Sequence, residues 1–255
     1  SNQPAIRVSA DGRTPACAPR IPHQTRPRFY ASIRAVRQFE LRIAEVASAG
    51  GSIRLDFTGP EPGAAPGQPL LALSPRPDQP LLRVPIFTLP AAGDRHSFYV
   101  PASHPYARLV PGEALDVLGP VGRGFRLPSQ GAGLLVIASA LERMLPAITA
   151  ALARGLSVAV LAPRGAELLP AAVEIQRGPV NEELARWADV VLLDVADPQA
   201  RAQHLRSLAP GRAPDFVQAL MPTPLPCGVG ACQACWVPAG HTRRLACIDG
   251  PVFGL

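Results

Sequence analysis

Four cysteines near one end of the sequence have a spacing that suits metal chemistry. They follow the pattern C-x4-C-x2-C with a fourth cysteine further on, at Cys227, Cys232, Cys235 and Cys247. This is the plant-type ligand spacing of a [2Fe–2S] cluster, whose two irons need four thiolates from a tight loop. Gly228 and Gly230 lie between the first two cysteines, and they allow such a turn because glycine lacks Cβ and tolerates positive φ. The spacing predicts a [2Fe–2S] site.

Other interpretations of the cysteines remain open. A structural zinc site usually shows two C-x2-C pairs, and only Cys232 and Cys235 have that spacing. Disulfides or idle thiols are a further alternative, and Cys17 is expected to be an idle thiol because it lies far from the others. Local positive charge beside the anionic cluster is expected from His241, Arg243 and Arg244. Positive charge there favours the reduced state.

Composition limits the class of protein. Of 255 residues, 47% are apolar and 17% charged, which predicts a globular chain with a core. The net charge is +6 and all 25 basic residues are arginine, but no nucleic-acid-binding signature accompanies them. No uncharged apolar stretch reaches about 18 residues, so we expect no transmembrane segment. Without an apolar leader at residues 1–7, and with clustered cysteines, the expected location is the cytoplasm.

The chain divides by its pattern of apolar residues and its prolines. Residues 1–28 form a basic, proline-rich arm, which we expect either to be solvated or to dock an acidic partner. Residues 29–129 contain short apolar runs broken by Gly and Pro, as in the strictly alternating 52–57, and predict an antiparallel β-barrel. Residues 130–220 alternate apolar strands with helical segments and predict a small parallel α/β domain. Residues 221–255 hold the cysteines as a [2Fe–2S] loop domain.

Three segments carry a resemblance to a known family. Residues 112–125 read G-E-A-L-D-V-L-G-P-V-G-R-G-F, residues 227–235 hold the cysteine loop, and residues 247–253 read C-I-D-G-P-V-F. This order of segments resembles the iron–sulfur flavoprotein electron-transfer subunit of dihydroorotate dehydrogenase, within the ferredoxin-reductase superfamily. The resemblance covers roughly residues 29–255. It implies a ferredoxin-reductase-like β-barrel, a parallel α/β domain and a C-terminal [2Fe–2S] loop domain.

The segment that resembles the family's flavin strand departs from it. That strand reads approximately L-R-R-P-I-S-I, and here Arg83, Pro85 and Thr88 are the candidate FAD contacts, while Phe87 stands where serine is expected. Thr88 replaces the serine only if the strand register slips by one residue, which turns its side chain to the other face. The family's G-x-G-T turn is replaced by residues 102–106, without glycine. FAD is therefore possible but doubtful.

The segment that resembles the nicotinamide site departs further. A dinucleotide fold needs a glycine-rich turn that opens a helix, so that phosphates reach backbone N–H groups. Residues 138–144 read A-S-A-L-E-R-M, with no glycine, and Glu142 places negative charge near the phosphate position. The family's later C-G-P has become residues 193–198, L-D-V-A-D-P. We expect no NAD(P) binding.

These expectations combine into one hypothesis with two alternatives. The chain is expected to relay single electrons as an iron–sulfur subunit of a larger oxidoreductase, with other redox subunits as partners in a hetero-oligomer. The first alternative is an FAD-containing NAD(P)H-dependent reductase subunit of the dihydroorotate dehydrogenase type. The second is a non-redox scaffold protein with structural zinc. The colour of the purified protein separates the three.

Overall fold

A computed structural model describes residues 36–90, 95–128, 131–162, 164–239 and 242–255. The basic arm, Cys17 and His241 lie outside the described residues. The first sheet has the strand order β4-β3-β6-β1-β2-β5, and every pairing is antiparallel. Its strands are β1 (Arg37–Ala49), β2 (Ser52–Thr58), β3 (Leu70–Leu73), β4 (Val84–Ile86), β5 (His96–Pro101) and β6 (Ala114–Gly119).

The first sheet curves into a nearly closed barrel. Beyond β4, Thr88 forms a bridge with Phe98 of β5, and the Leu89 N–H donates to the Ser97 carbonyl at 2.8 Å. These contacts join the two edge strands. The alternating residues of β2 and β5 turn Leu55, Phe57 and Phe98 into the barrel, where all three side chains are fully buried. Period-two patterning therefore predicted the barrel interior correctly.

The second sheet is parallel except at one edge. Its order is β14-β11-β10-β7-β8-β9, and only β14 runs antiparallel to its neighbour. The strands are β7 (Gly133–Ala138), β8 (Ser157–Leu161), β9 (Glu174–Ile175), β10 (Val190–Asp194), β11 (Val217–Leu220) and β14 (Val252–Gly254). All six residues of β7 are buried, as expected for a central strand covered on both faces.

The helices of the described residues are short, and the first three connect strands of the parallel sheet. They are α1 (Leu145–Ala153), α2 (Glu182–Trp187), α3 (Pro198–Leu208) and α4 (Ala246–Asp249), with 3-10 turns at Pro105–Arg108 and Ala166–Leu168. Helix α1 ends at Ala153 with Arg154 as its C-cap, and Gly155 follows at φ +72°, a left-handed conformation that commonly ends helices. Within the described residues, no helix is both long enough and apolar enough to cross a membrane.

Two segments add to the sequence interpretation. Within the apolar run at residues 81–89, β4 covers only Val84–Ile86, and Leu81 and Leu82 before it have 90% and 65% of their surface exposed. The C-terminal strand β14, within the residues 221–255 that hold the cysteines, pairs antiparallel with β11 at one edge of the second sheet. Between β11 and β14, the described part of the cysteine segment contains helix α4 and a hairpin formed by β12 (Trp236–Ala239) and β13 (Thr242–Leu245).

Candidate metal centre

The hairpin brings the last two cysteines of the motif together. Cys235 immediately precedes β12 and Cys247 lies in α4, directly after β13. The Ala246 N–H donates to the Cys235 carbonyl at 3.0 Å, which fixes the return of the chain. The two Sγ atoms consequently lie 3.3 Å apart, and both side chains are buried. Burial raises the pKa of the Cys247 thiol to about 12, reinforced by its contact with Cys235.

The first two cysteines form a second pair in the preceding loop. The Cys232 N–H points at the Cys227 Sγ from 3.5 Å, so the x4 segment curls around the first sulfur. The curl needs left-handed backbone, which Gly228 and Gly230 supply at φ +67° and +76°. Burial would raise the pKa of Cys227, but hydrogen bonds from the loop's backbone N–H groups outweigh it and lower that pKa to about 7. The loop therefore stabilises a thiolate before any metal binds.

The cysteine loop is wedged against the barrel. A Cβ on Gly228 would come within 2.6 Å of the Leu71 Cδ1 and 3.2 Å of the Val121 Cγ2. Leu71 and Val121 are fully buried and share one hydrophobic cluster with Cys235 and Cys247. Glycine is needed here both for its φ and for this close approach. The loop is thereby held in the angle between the barrel and the parallel sheet.

The donor set fits a two-metal unit. Four thiols are arranged as two pairs, and two irons with two terminal thiolates each require that arrangement. Among the described residues, no three His, Cys, Asp or Glu side chains gather around one point that could hold a single ion. Access is uneven, because Cys235 and Cys247 are buried, Cys227 is half-buried and Cys232 is exposed. One side of the site therefore faces solvent.

The three candidate flavin contacts lie on and around β4, and Arg83 is already engaged. Its guanidinium donates to the Leu71 carbonyl at 3.2 Å and the Asp116 carbonyl at 2.8 Å, and it forms an ion pair with the Asp116 carboxylate. Pro85 lies within β4, and Thr88 is buried at the barrel closure. The cavity beside Thr88 measures about 190 Å³, below the roughly 300–1,000 Å³ of ordinary ligand pockets. These side chains do not fit a flavin phosphate in this arrangement.

Aromatic side chains fill the space around that strand. Phe87 exposes only 6% of its surface and belongs, with Phe125, to the hydrophobic cluster built around β7 and α1. It thus links the barrel to the parallel sheet. In the segment that replaces the family's glycine turn, Tyr106 is fully buried and its hydroxyl donates to the Ala72 carbonyl at 2.7 Å. Burial raises the pKa of Tyr106 to about 12.

Carboxylates occupy the switch point of the parallel sheet, between β7 and β10, where open α/β sheets bind nucleotides. Glu142 is buried and accepts a hydrogen bond from the Ser52 hydroxyl at 2.8 Å, which ties the sheet to the barrel. Asp194 is 98% buried and pairs with Arg143 at 2.5 Å, leaving its Oδ2 without a partner among the described residues. Burial raises the pKa of Asp194 despite Arg143. Carboxylates in these positions do not fit a pyrophosphate.

Sequence reasoning missed the partners of these groups. It singled out Glu142 but not Ser52, which is 90 residues away in the chain, and it did not identify the pairing of Arg143 with Asp194. The usable signal was a charged residue at or shortly after the end of each of two buried strands, Asp194 at the end of β10 and Glu142 four residues beyond β7, since parallel strands end at one edge. Which residues pair over a long distance in the chain cannot be predicted from the local sequence pattern.

Comparison with known proteins agrees with this geometry. Residues 224–255 match the model of the iron–sulfur cluster binding domain of dihydroorotate dehydrogenase B. The chain is 27% identical over 171 residues to the electron transfer subunit of dihydroorotate dehydrogenase B (NAD(+)) from Desulforamulus reducens, and the match covers 56% of this chain and 64% of that relative.

Solved structures show the same fold at low sequence identity. An NADH-dependent reduced ferredoxin-NADP oxidoreductase aligns with TM-score 0.57 and 16% identity, over 84% of this chain and 87% of the other. The ferredoxin reductase of carbazole 1,9a-dioxygenase aligns with TM-score 0.56 and 14% identity, over 72% and 67%. The chain thus has a ferredoxin-reductase-like fold with an iron–sulfur cluster binding domain at its C-terminal end, and it is similar to the electron transfer subunits of dihydroorotate dehydrogenase B.

Proposed function

We propose that this protein is an iron–sulfur electron-transfer subunit that relays single electrons within a larger oxidoreductase. The observation that carries the proposal is the arrangement of four free cysteines as two pairs inside the segment that matches an iron–sulfur binding domain. A bound [2Fe–2S] cluster supplies a centre that takes up and releases one electron at a time. The proposed ligands are Cys227 and Cys232 as one pair, with Cys235 and Cys247 as the other.

The chain's own residues divide the work around this site. Buried Cys235 and Cys247 hold the inner side away from water, whereas Cys232 is exposed to solvent. Backbone N–H groups of the x4 loop donate to the first sulfur and favour its thiolate form. Since metal binding displaces the thiol protons of the ligands, loading of the site depends on pH.

The proposal includes partners and a location. A one-electron centre has no substrate chemistry of its own, so both a donor and an acceptor must come from other subunits of a hetero-oligomer. The engaged Arg83 and the carboxylates at the switch point support a chain that does not itself bring flavin or nicotinamide to the reaction. We place the protein in the cytoplasm, where a reducing environment keeps the four cysteines available as ligands.

Anaerobic purification followed by analysis of iron, acid-labile sulfide, zinc and released flavin tests the proposal. The expected result is a red-brown protein with two irons and two sulfides per chain. Cys232→Ala should bleach it, while Cys17→Ala, outside the motif, should leave the spectrum unchanged. Stoichiometric zinc without sulfide would replace the proposal with a scaffold role. Stoichiometric flavin would replace it with a complete reductase subunit.

A further inference from the structure

An arginine-lined groove lies beside β14 at one edge of the parallel sheet. Two adjoining cavities of about 700 Å³ and 210 Å³ flank β14, an edge strand of the sheet. Five arginines line them against two aspartates, Asp215 and Asp249. The arginines of this groove are Arg123, Arg126, Arg206, Arg212 and Arg244. The groove therefore carries an excess of positive charge.

The five arginines fall into two groups by their contacts. Arg206 and Arg212 are anchored, because Arg206 donates to the carbonyls of Pro214 and Leu255, and Arg212 stacks over Phe216. In contrast, the guanidinium groups of Arg123, Arg126 and Arg244 are exposed and have no hydrogen-bond or ion-pair partner among the described residues. Those three are the groups that remain free to bind an anion, while the anchored pair shapes the wall.

The groove adjoins the metal centre along the chain and in space. Arg244 pairs across the hairpin with Val237, two residues beyond Cys235. Asp249 on the groove wall lies two residues beyond Cys247. The Arg123 N–H also donates to the Gly250 carbonyl, which joins the wall to the end of α4. A partner seated in the groove would thus rest against the segment that carries the buried cysteine pair.

We propose that the groove receives an extended acidic segment of the redox partner. That the partner is a redox protein rests on the proposed function. That its docking segment is acidic rests on the arginines of the groove. Carboxylates match free guanidinium groups through charge-assisted hydrogen bonds. The two cavities adjoin through Arg126 and Arg244, so an extended chain, whose alternate side chains point the same way, can lie across both. Opposite charge in such a patch also accelerates encounter between redox proteins.

The experiment uses the full chain as purified and a synthetic probe. Fluorescence anisotropy measures binding of a fluorescein-labelled decapeptide of alternating Glu and Ser, with a Gln–Ser decapeptide as the neutral comparison. The Glu peptide should bind at least tenfold more tightly than the Gln peptide at 50 mM salt. Raising the salt to 200 mM should weaken binding severalfold, because exposed charges are screened.

Charge reversal locates the site. The double variant Arg126→Glu and Arg244→Glu reverses the sign of the groove's net charge and should weaken Glu-peptide binding at least tenfold. The matched control is Arg177→Glu, an exposed arginine just beyond β9 at the opposite edge of the same sheet, which should change binding less than twofold. Single Arg126→Gln and Arg244→Gln variants, each with unchanged circular dichroism, should show intermediate losses if the double variant folds poorly.

The outcomes separate the two proposals. Equal binding of the Glu and Gln peptides, or an equal loss in Arg177→Glu, overturns the groove proposal. An oligonucleotide of the same charge that binds as tightly as the Glu peptide also overturns it, since the groove would then be a general polyanion site. Anisotropy does not depend on the metal. Peptide binding by a protein without iron or sulfide would support the groove and refute the electron-transfer role.

Discussion

Replacing Phe87 by serine, the residue type expected at a flavin contact, tests whether the barrel still has a flavin site. Phe87 exposes 6% of its surface and packs in the cluster that joins the barrel to the parallel sheet. A buried aromatic side chain removes about 150–250 Å² from water, and its truncation costs about 3–5 kcal/mol. In a chain of this size each kcal/mol lowers the midpoint of thermal unfolding by roughly 2–4 °C. Phe87→Ser should therefore lower it by about 6–20 °C.

The measurement pairs thermal unfolding, followed by far-UV circular dichroism, with an assay of released flavin. Phe39 on β1 is only partly buried, so Phe39→Ser is the matched control and should shift the midpoint less than half as far. Phe87→Leu should shift it by an intermediate amount, which keeps the test informative if the serine variant does not fold. Flavin content should not rise in any variant. A serine variant as stable as the parent, or one that gains stoichiometric flavin, would refute the reasoning.

Three further predictions follow from buried polar groups and from the nucleotide region. Tyr106→Phe removes the hydroxyl that donates to the Ala72 carbonyl and should lower the free energy of unfolding by about 1–3 kcal/mol near neutral pH. Because the pKa of Tyr106 is raised to about 12 in the folded state, the parent should lose this stabilisation as the pH rises from 10 to 12, whereas the variant should not. Urea titrations at several pH values measure the difference. Arg143→Ala leaves the buried Asp194 carboxylate unpaired and should lower the free energy of unfolding by about 1–3 kcal/mol at pH 7. This is less than for a fully buried ion pair, because the Arg143 side chain is 45% exposed and solvent screens its charge. Since the pKa of Asp194 is raised in the folded state, the destabilisation by Arg143→Ala should shrink as the pH falls toward that pKa and the carboxylate is protonated. In an Asp194→Asn background, Arg143→Ala should show no such pH dependence. An equal loss of stability at pH 5 and pH 7 would contradict the pairing of Arg143 with an ionised Asp194. The isolated chain should not oxidise NADH or NADPH with an artificial acceptor, because Glu142 and Asp194 occupy the region where phosphates bind; saturable diaphorase activity would show that assignment to be wrong.

Local patterns were enough to predict most of the architecture. Strict alternation at 52–57 and the uninterrupted apolar run at 133–138 mark a barrel strand and a central parallel strand, because side-chain period and burial on both faces are local properties. The x4 and x2 spacings likewise predicted an iron–sulfur site in the segment that matches an iron–sulfur cluster binding domain. The close approach of Gly228 to Leu71, which places the cysteine loop against the barrel, joins residues far apart in the chain and could not be read from the motif.

What the sequence did not predict depends on long-range contact. Arg83 was a candidate for a flavin phosphate, and only the fold shows that Asp116 engages it. The arginines of the groove come from four separate segments, so neither their clustering nor their separation into anchored and free groups was visible. Strand β14 pairs with β11 across the whole cysteine segment, a pairing set by the return of the chain through the hairpin.

An anaerobic reductive titration of the purified chain tests the central claim most directly. Dithionite is added stepwise while visible absorbance and the electron paramagnetic resonance signal are recorded, with iron and sulfide measured on the same sample. The account predicts bleaching complete at one electron per chain, with one unpaired spin appearing in parallel. Uptake of three electrons would show a flavin beside the cluster. No bleaching and no spin would contradict the assignment of Cys227, Cys232, Cys235 and Cys247 as ligands of a [2Fe–2S] cluster.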